Sequence, residues 1–569
     1  MRPTTTTRKA FLTLLMVVVA TSLCMAGPRQ LSPELNSKRA GLAAGKAQQA
    51  PEELVDVIIQ FRQGTALQNH VQRMQGFGAS HRNSLDVVNA GLFRIPARML
   101  STLANDPDVV YVSPDRKVQH TSIWDYILDA SQSSAVIQAG YDGSGIGIAI
   151  IDSGVRANHP DLQNLYNGSS RVVYSQSFVA GDSSVDDAFG HGTHVAGLLA
   201  GNGQVSGGAM VGIASNANLI NLRVLDGNGT GTDSAVIAAI QRAIQLKNTY
   251  NIRVINLSLG RRVSESYTLD PVCQAVEQAW KAGIVVVVAA GNYGRDNSMK
   301  TSGYGTITAP GNDPYAITVG ALNTHATDIT SDDTVTSFSS KGPTLVDHVI
   351  KPDLIAPGNR VVSLLANGST LDQLSPADEV APSAYGGYGN KASYFFMSGT
   401  SMAAPVVSGT VALMLQRNSN LSPDQIKIRL LKTATKTYPA HTSATSTAGN
   451  YYNLQGDIFT VGAGYLNANA AVNSNDQPSG SSLSPVAVRD SVGNVHLQGD
   501  PSSVWVNSIT WGSSIVWGSN VLQSNSIIWG SSIVWGDSLD SGYSIVWGNS
   551  IVWGDSVNTF SESADSDIN

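Results

Sequence analysis

Three glycine-rich segments of this chain carry side chains suited to acyl-transfer chemistry. Ile148-Ala-Ile-Ile-Asp152-Ser-Gly154 ends an apolar run in a carboxylate, which should be half-buried and hydrogen-bonded. Gly190-His191-Gly-Thr-His194-Val-Ala-Gly197 opens a helix with an imidazole, and Ser398-Gly-Thr-Ser401-Met-Ala-Ala-Pro405 opens another with a hydroxyl. A serine hydroxyl is a poor nucleophile until an adjacent imidazole takes its proton. The imidazole in turn needs a carboxylate to fix its tautomer and stabilise its cation. A helix N-terminus also presents unpaired N–H groups and a partial positive charge, which favour an oxyanion beside Ser401. Ala289-Ala-Gly291-Asn292 adds a carboxamide that could donate to that oxyanion. Each residue alone has a plainer reading. Asp152 could form a turn, Asn292 likewise, and Gly-Thr-Ser commonly caps helices. His191 and His194 could bind zinc, but no third ligand constellation accompanies them. Four such segments in one chain outweigh those readings.

In order and in wording, down to Gly399-Thr-Ser401-Met-Ala403, the segments closely resemble those of the subtilisin-like serine proteases, the subtilases. The resemblance implies that Asp152 orients the imidazole, His191 is the general base, Ser401 the nucleophile, and Asn292 an oxyanion donor beside the Ser401 N–H. It makes His194 structural. Ser258-Leu259-Gly260 and Gly229-Thr230-Gly231 are similar to the two edge segments that hold an extended peptide as an added β-strand. Such binding uses main-chain hydrogen bonds and tolerates many sequences. Tyr293 stands where some relatives carry an acidic residue, which points to a neutral or apolar side chain before the scissile bond. No cofactor is required for this chemistry. Structural calcium remains open with no site assigned, because the Asn-rich calcium loop of many secreted relatives is not evident in Gly201-Asn-Gly-Gln-Val-Ser-Gly-Gly208. Asn251–Gly260, Pro310–Pro314, Phe338–Pro343 and Lys351–Gly358 bring the resemblance nearest to the AprX-like group of bacterial subtilases, over about residues 120–473.

The elements that must position these residues follow from hydrophobic patterning. Gly147–Ile151, Leu219–Leu225, Arg253–Leu257, Ile284–Ala289 and Ala316–Val319 are short, Ile/Val-rich and lack polar alternation. Ser234–Leu246, Pro271–Ala282 and Met402–Gln416 have helical spacing. Unalternated strands separated by helices predict an α/β fold, a parallel β-sheet flanked by helices on both faces. Asp152 and Asn292 fall just past strand ends, where open α/β sheets place their sites. With 42% hydrophobic and 14% charged residues, a large core can form; with a net charge of −7 and no basic stripe, nucleic acid is not an expected partner.

A basic start, the apolar run Phe11–Ala20 and Thr21–Ala26 predict a secretory signal peptide at 1–26, hence a secreted, extracellular protein, with periplasmic or cell-surface placement left open. Bulky Leu23 before Cys24 argues against lipoprotein processing. Loss of Cys24 would leave Cys273 alone, without a disulfide, on the packing face of a helix. Residues 27–51 read as a linker. Residues 52–121 read as a strand-helix-strand-helix-strand α+β module, whose position resembles the I9-type inhibitory propeptide of secreted subtilases. The zymogen is expected to cut itself near His120–Ser122, its own propeptide remaining as an inhibitor. The catalytic domain is placed at 122–473, a linker at 474–500 and a tail at 501–569. That tail holds six Ser-Ile-(Val/Ile/Thr)-Trp-Gly copies, with tryptophans at 511, 517, 529, 535, 547 and 553. It reads as a Trp-rich β-repeat appendage able to contact a cell surface or polymeric substrate, or else as a segment removed during secretion. On that division, a chain ending at Val472 should keep activity on a small peptide. Three functional classes remain open: a secreted endopeptidase acting on proteins or peptides, a non-catalytic binding protein on the same scaffold, and an esterase or peptide ligase using the same acyl-enzyme.

Overall fold

The computed structural model describes residues 54–114 and 126–498, apart from 63, 65, 86–88, 328, 388–390, 437–440 and 490–494, together with Leu31, Leu35, Arg39, Val557, Asn558 and Asp567. The expected signal peptide, the expected cut near His120–Ser122 and the tryptophan repeats lie outside these residues. The chain divides into two compact units, residues 1–120 and 121–569.

In the first unit, β1 (Leu54–Phe61), α1 (Leu67–Gly76), β2 (Ser80–Leu85), β3 (Ala90–Pro96) and β4 (Val109–Pro114) form an antiparallel sheet in the order β2-β3-β1-β4. This is a split βαβ arrangement with a short helical turn, Leu100–Leu103, before β4. Three strands were expected; β2 is the fourth. Its sequence, Ser-His-Arg-Asn-Ser-Leu, has no apolar alternation because it lies at a sheet edge with no fully buried side chain. Val57, Ile59 and Phe61 alternate inward from β1 onto Val71 and Met74 of α1. Leu31 and Leu35, from the stretch expected as a linker, are buried in the same core.

The second unit is built on β5 (Gly147–Asp152), β6 (Val172–Ser177), β7 (Asn218–Arg223), β9 (Ile252–Leu257), β10 (Val285–Ala289), β11 (Ile317–Asn323), β12 (Thr334–Val335) and β13 (Leu354–Pro357). The order is β12-β11-β10-β9-β5-β7-β6, with β13 also on β11. Every pairing is parallel except β11 with β12, so the sheet is mixed rather than wholly parallel. Two-residue β8 (Thr230–Gly231) stands outside it. Both faces are covered, which is why the strands lack polar alternation. Ile148 and Ile150 face α2 (His191–Ala200) and α5 (Thr400–Arg417), whereas Ala149 and Ile151 face α3 (Asp233–Tyr250) and α4 (Pro271–Lys281). Cys273 of α4 is buried, as its packing-face position predicts, and burial pushes its thiol well up. From Thr400 to Leu415 every residue of α5 is buried, making it the central helix of the unit. Two further antiparallel pairs are β14 (Val361–Leu364) with β15 (Tyr394–Met397) and β16 (His441–Thr445) with β17 (Tyr451–Gln455).

The segment expected as a linker from 474 is not one throughout. Ser482 and Ser484 are buried, Ile350 N–H donates to the Pro485 carbonyl, and β18 (Val486–Arg489) pairs with β19 (Val495–Gln498). Ser484 Oγ donates to Asp353 Oδ1 at 2.6 Å, joining a fully buried charge cluster. Lys351 Nζ reaches Asp353 Oδ2 at 2.7 Å and Lys427, from α6 (Pro423–Thr433), reaches Oδ1 at 3.3 Å. Lys351 also donates to the Ala316 carbonyl, and Lys427 to the carbonyls of Pro314 and Ala316 and to Ser484 Oγ. Burial drives the Lys427 amine down to about 7, while Lys351 and Lys427 hold the Asp353 carboxyl below its ordinary range against burial. A buried ionic group stripped of one partner is strongly destabilising.

Ser484→Ala should therefore cost about 1–3 kcal/mol. A chain ending at Val472 should melt well below one ending at Gln498, contrary to the division drawn from sequence. Thermal denaturation of the truncations in a Ser401→Ala background checks this; equal melting temperatures would restore a linker at 474.

Candidate active site

Each functional side chain projects from the carboxyl end of a parallel strand or the first turn of a buried helix. Asp152 is the last residue of β5, and His191 the first of α2. Both are fully buried, and His191 Nδ1 lies 2.7 Å from Asp152 Oδ1. The Ser153 N–H donates to the same carboxylate oxygen at 2.7 Å. With Nδ1–H committed to Asp152, the ring is held in the tautomer that leaves Nε2 to accept a proton.

Two residues that sequence reasoning did not single out hold this pair. Ser153 Oγ accepts from Gly192 N–H at 2.9 Å and donates to Asp187 Oδ1 at 2.8 Å. Asp187 accepts from Gly190 N–H and Thr193 N–H at 2.7 Å each, so it caps α2 although it lies outside the helix. Burial raises the Asp187 carboxyl, and the bonds from Thr193, Gly190 and Ser153 pull it back. Its signal was available: an acid four residues before a helix-opening histidine suits the orphan N–H groups of a first turn. Gly192 is dictated by space, since a Cβ there would lie 2.1 Å from the Gly154 carbonyl oxygen and 3.1 Å from Asp152 Oδ1. His194 is also buried, with Nε2 at 3.2 Å from the Val361 carbonyl and 3.0 Å from that of Phe395. It ties α2 to the β14–β15 pair. Burial, then the neighbouring His191, push it down to about 3.

Ser401 lies in the first turn of α5, and its Oγ donates to the Ser258 carbonyl at 3.2 Å. Ser258 Oγ donates back to the Ser401 carbonyl at 2.8 Å. Pro405 explains the return bond. In a helix the Ser401 carbonyl would accept from residue 405, and proline has no N–H to give. Asn256 Nδ2 donates to Ser258 Oγ, and Ser408 Oγ to Asn256 Oδ1, so the seryl side chain is fixed from α5 as well. Leu259 and Gly260 follow Ser258 and are buried, and Arg261 pairs with Ala309 beyond them.

Asn292 follows β10. Its Oδ1 accepts from Thr400 N–H at 2.9 Å and Thr400 Oγ1 at 3.1 Å, and Thr400 Oγ1 accepts from Gly291 N–H at 3.0 Å. One end of the carboxamide is thus pinned to the residue before Ser401. Its Nδ2 is buried with no acceptor among the described residues, the disposition of a donor aimed at a charge that forms during reaction. Thr400 is another residue that sequence reasoning passed over. Gly229, Thr230 and Gly231 stand at the end of the loop after β7; a Cβ on Gly231 would meet the Val224 carbonyl oxygen at 2.4 Å, and Val224 N–H donates to the Asp152 carbonyl. The structure therefore pairs Asp152 with His191, and Asn292 and Ser258 with the Thr400–Ser401 turn.

Residues 143–464, more than half of the chain, match the subtilase family, peptidase S8. The chain belongs to that family. Serine protease AprX of Bacillus subtilis (strain 168) is 37% identical over 347 residues, 60% of this chain and 72% of the relative. Subtilisin DY of Bacillus licheniformis is 35% identical over 346 residues, 61% of this chain and 97% of the relative. Subtilisin E of Bacillus subtilis (strain 168) is 32% identical over 396 residues, 69% and 83% respectively. This subtilase is a subtilisin-like serine endopeptidase. Among its described residues no group of three or more His, Cys, Asp or Glu side chains is placed to hold a metal ion, and no helix is long and apolar enough to cross a membrane.

Two outcomes are expected from the geometry. Thr400→Val removes one of the two donors on Asn292 Oδ1 and the acceptor of Gly291, so turnover should fall roughly tenfold with little change in KM, and Thr400→Ser should restore it. Steady-state kinetics on a peptide substrate decide; a KM effect alone would mean that Thr400 does not aim Asn292. The second concerns pH. His194 stays neutral in the fold down to about 3, against its ordinary 6.5. The unfolded chain takes up that proton first, so the stability linked to His194 is complete above about pH 6.5 and drains as pH falls toward 3, by about 1.4 kcal/mol per unit. His194→Gln should flatten that part of the acid dependence in urea unfolding of the Ser401→Ala protein; parallel curves would show that the buried ring is protonated.

Proposed function

We propose that this subtilase is an exported endopeptidase, made as a self-processing zymogen, in which Ser401 forms the acyl-enzyme. His191 takes the Ser401 proton as Oγ attacks the scissile carbonyl and returns it to the leaving amine; Asp152 holds the imidazole in position and stabilises its cation. Asn292 Nδ2 and the Ser401 N–H receive the oxyanion. Water then repeats the sequence on the acyl group. The observation that carries this reading is the fully buried 2.7 Å contact between His191 Nδ1 and Asp152 Oδ1, in the same unit as a serine at the mouth of a buried helix. No step calls on a metal or cofactor.

Thr230–Gly231 and Ser258–Gly260 hold the substrate as an added strand between them. Specificity then rests on main-chain bonds, with a neutral or apolar residue favoured next to the scissile bond, because Tyr293 lies under the Arg262 guanidinium, 4.5 Å from its ring centre, where an acidic residue would attract a basic side chain. Residues 52–121 serve as the inhibitory propeptide. Their own sheet and core, within a separate compact unit, support that assignment.

N-terminal sequencing and intact-mass analysis of the exported protein from the parent chain and from Ser401→Ala test the scheme together. The parent should begin near His120–Ser122, whereas Ser401→Ala should keep residues 52–121 attached. Ser401→Ala, His191→Ala and Asp152→Asn should each lose peptide hydrolysis by orders of magnitude. Asn292→Ala should lose roughly the 10²–10³ in turnover known for the corresponding donor of subtilisin. Normal casein cleavage by purified Ser401→Ala would exclude it as the nucleophile.

A further inference from the structure

The end of the chain returns to the catalytic unit at two places. Val557 and Asn558 form β20, which pairs antiparallel with β8, Val557 opposite Gly231 and Asn558 opposite Thr230. Nine positions on from Asn558, Asp567 is almost fully buried. Its Oδ2 accepts from Ser337 N–H at 2.7 Å, and its Oδ1 from Ser337 Oγ at 2.5 Å and Arg295 Nη2 at 2.9 Å. Its backbone is held as closely. Asn359 Nδ2 donates to the Asp567 carbonyl at 3.0 Å, Asp567 N–H donates to Asn359 Oδ1 at 3.1 Å, and Asp567 forms a β-bridge with Ser446. Arg295 is itself fixed, Nε donating to Ser337 Oγ and the guanidinium lying near the rings of Phe338 and Tyr452. Ser337 and Asn359 are both nearly inaccessible. Arg295, Ser337 and Asn359 together engage both carboxylate oxygens and both main-chain groups of Asp567.

These three residues grow out of the loops that carry the reaction centre. Asn359 follows Gly358, whose carbonyl accepts from Gly399 N–H, and Arg360 N–H donates to Ser398 Oγ. On the other side, Phe338 O accepts from Gly294 N–H and Ser340 Oγ from Tyr293 N–H. One wall therefore continues the Ser401 turn and the other the Asn292 turn. The second anchor, β8, is the edge proposed to hold substrate, so a competing role for β20 rests on that reading.

We propose that Arg295, Ser337 and Asn359 form a binding site for an acidic residue of an extended peptide, and that Asp567, together with Val557–Asn558 on β8, makes the C-terminus of this chain an intramolecular competitor of substrate. Thr230 N–H donates to Asp226 Oδ1 and its carbonyl accepts from Asp226 N–H, so Gly231 holds the main-chain groups left on that edge, and a strand paired there competes with an incoming peptide. Tethering gives the competitor a high effective concentration, so modest intrinsic affinity suffices. The occupant is acidic by chemistry rather than by fold. A lysine at 567 would set a second cation against the Arg295 guanidinium in a dry pocket, and a neutral residue would give up the charge-assisted bond.

Asp567→Lys in the full chain tests the proposal. In the Ser401→Ala background, which needs no turnover, hydrogen exchange at Ser337 and Gly231 should speed up at least tenfold relative to the Asp567 parent. In the active chain, KM for an extended peptide substrate should fall roughly tenfold with kcat unchanged, and a synthetic peptide of residues 555–569 should raise it again competitively. Unchanged exchange at Ser337 would overturn the binding site. Faster exchange with an unchanged KM would overturn the competition and leave the site. Cleavage between Asn558 and Asp567 by the active chain but not by Ser401→Ala, read by intact mass, would count in favour. If Ser401→Ala remained active, the nucleophile assignment would fall, whereas the exchange result would stand on its own.

Discussion

A carboxylate and an imidazole removed wholly from water have to satisfy one another, and the pairing of Asp152 with His191 is the contact to which the rest of the catalytic unit is fitted. Neither side chain can move far, because each is the terminal residue of a regular element and each of those elements is buried. The supports converge on the same spot: Ser153 and Asp187 bond across to the first turn of α2, and Gly192 leaves room for the carboxylate. Preorganisation of this kind is costly in buried polar groups and is retained where chemistry needs a fixed dipole.

The nucleophile is held by a second set of bonds that do not pass through the imidazole. Thr400 binds Asn292, and Ser258 exchanges hydrogen bonds with Ser401. Pro405 is the reason the exchange is two-way. A residue that weakens a helix elsewhere here frees a carbonyl for the segment proposed to hold substrate, so binding and attack share one piece of backbone.

Much of this was legible in the sequence because the informative residues break local rules. Asp152, His191, Asn292 and Ser401 are polar residues beside apolar runs, and such interruptions are visible without coordinates. The parallel strands were legible too, since burial on both faces erases polar alternation. What escaped notice obeys local rules while acting at long range. Thr400, Ser153 and Asp187 have the composition of ordinary turn and cap residues, and only the fold shows that Thr400 bonds to Asn292, Ser153 to Asp152, and Asp187 to Ser153 and the first turn of α2. β2 escaped because an edge strand with no buried face carries no hydrophobic signal. Residues 482–489 escaped because Ser, Pro and Leu in a polar stretch look like a linker, and their partners, Asp353 and Ile350, are more than a hundred positions away.

That distance has a consequence for how the molecule comes into being. Chains emerge from the ribosome N-terminus first. Asp353 is synthesised before Lys427, and Ser484 lies 131 positions beyond Asp353. Until those residues are available, the sheet edge at β13 carries an incompletely paired buried charge, and α5, which packs on β13, lacks a settled floor. The nucleophile is therefore translated well before its surroundings can close around it. The serine at 401 is thus made before Lys427 and Ser484, the two residues that complete the charge cluster at β13 on which its helix packs.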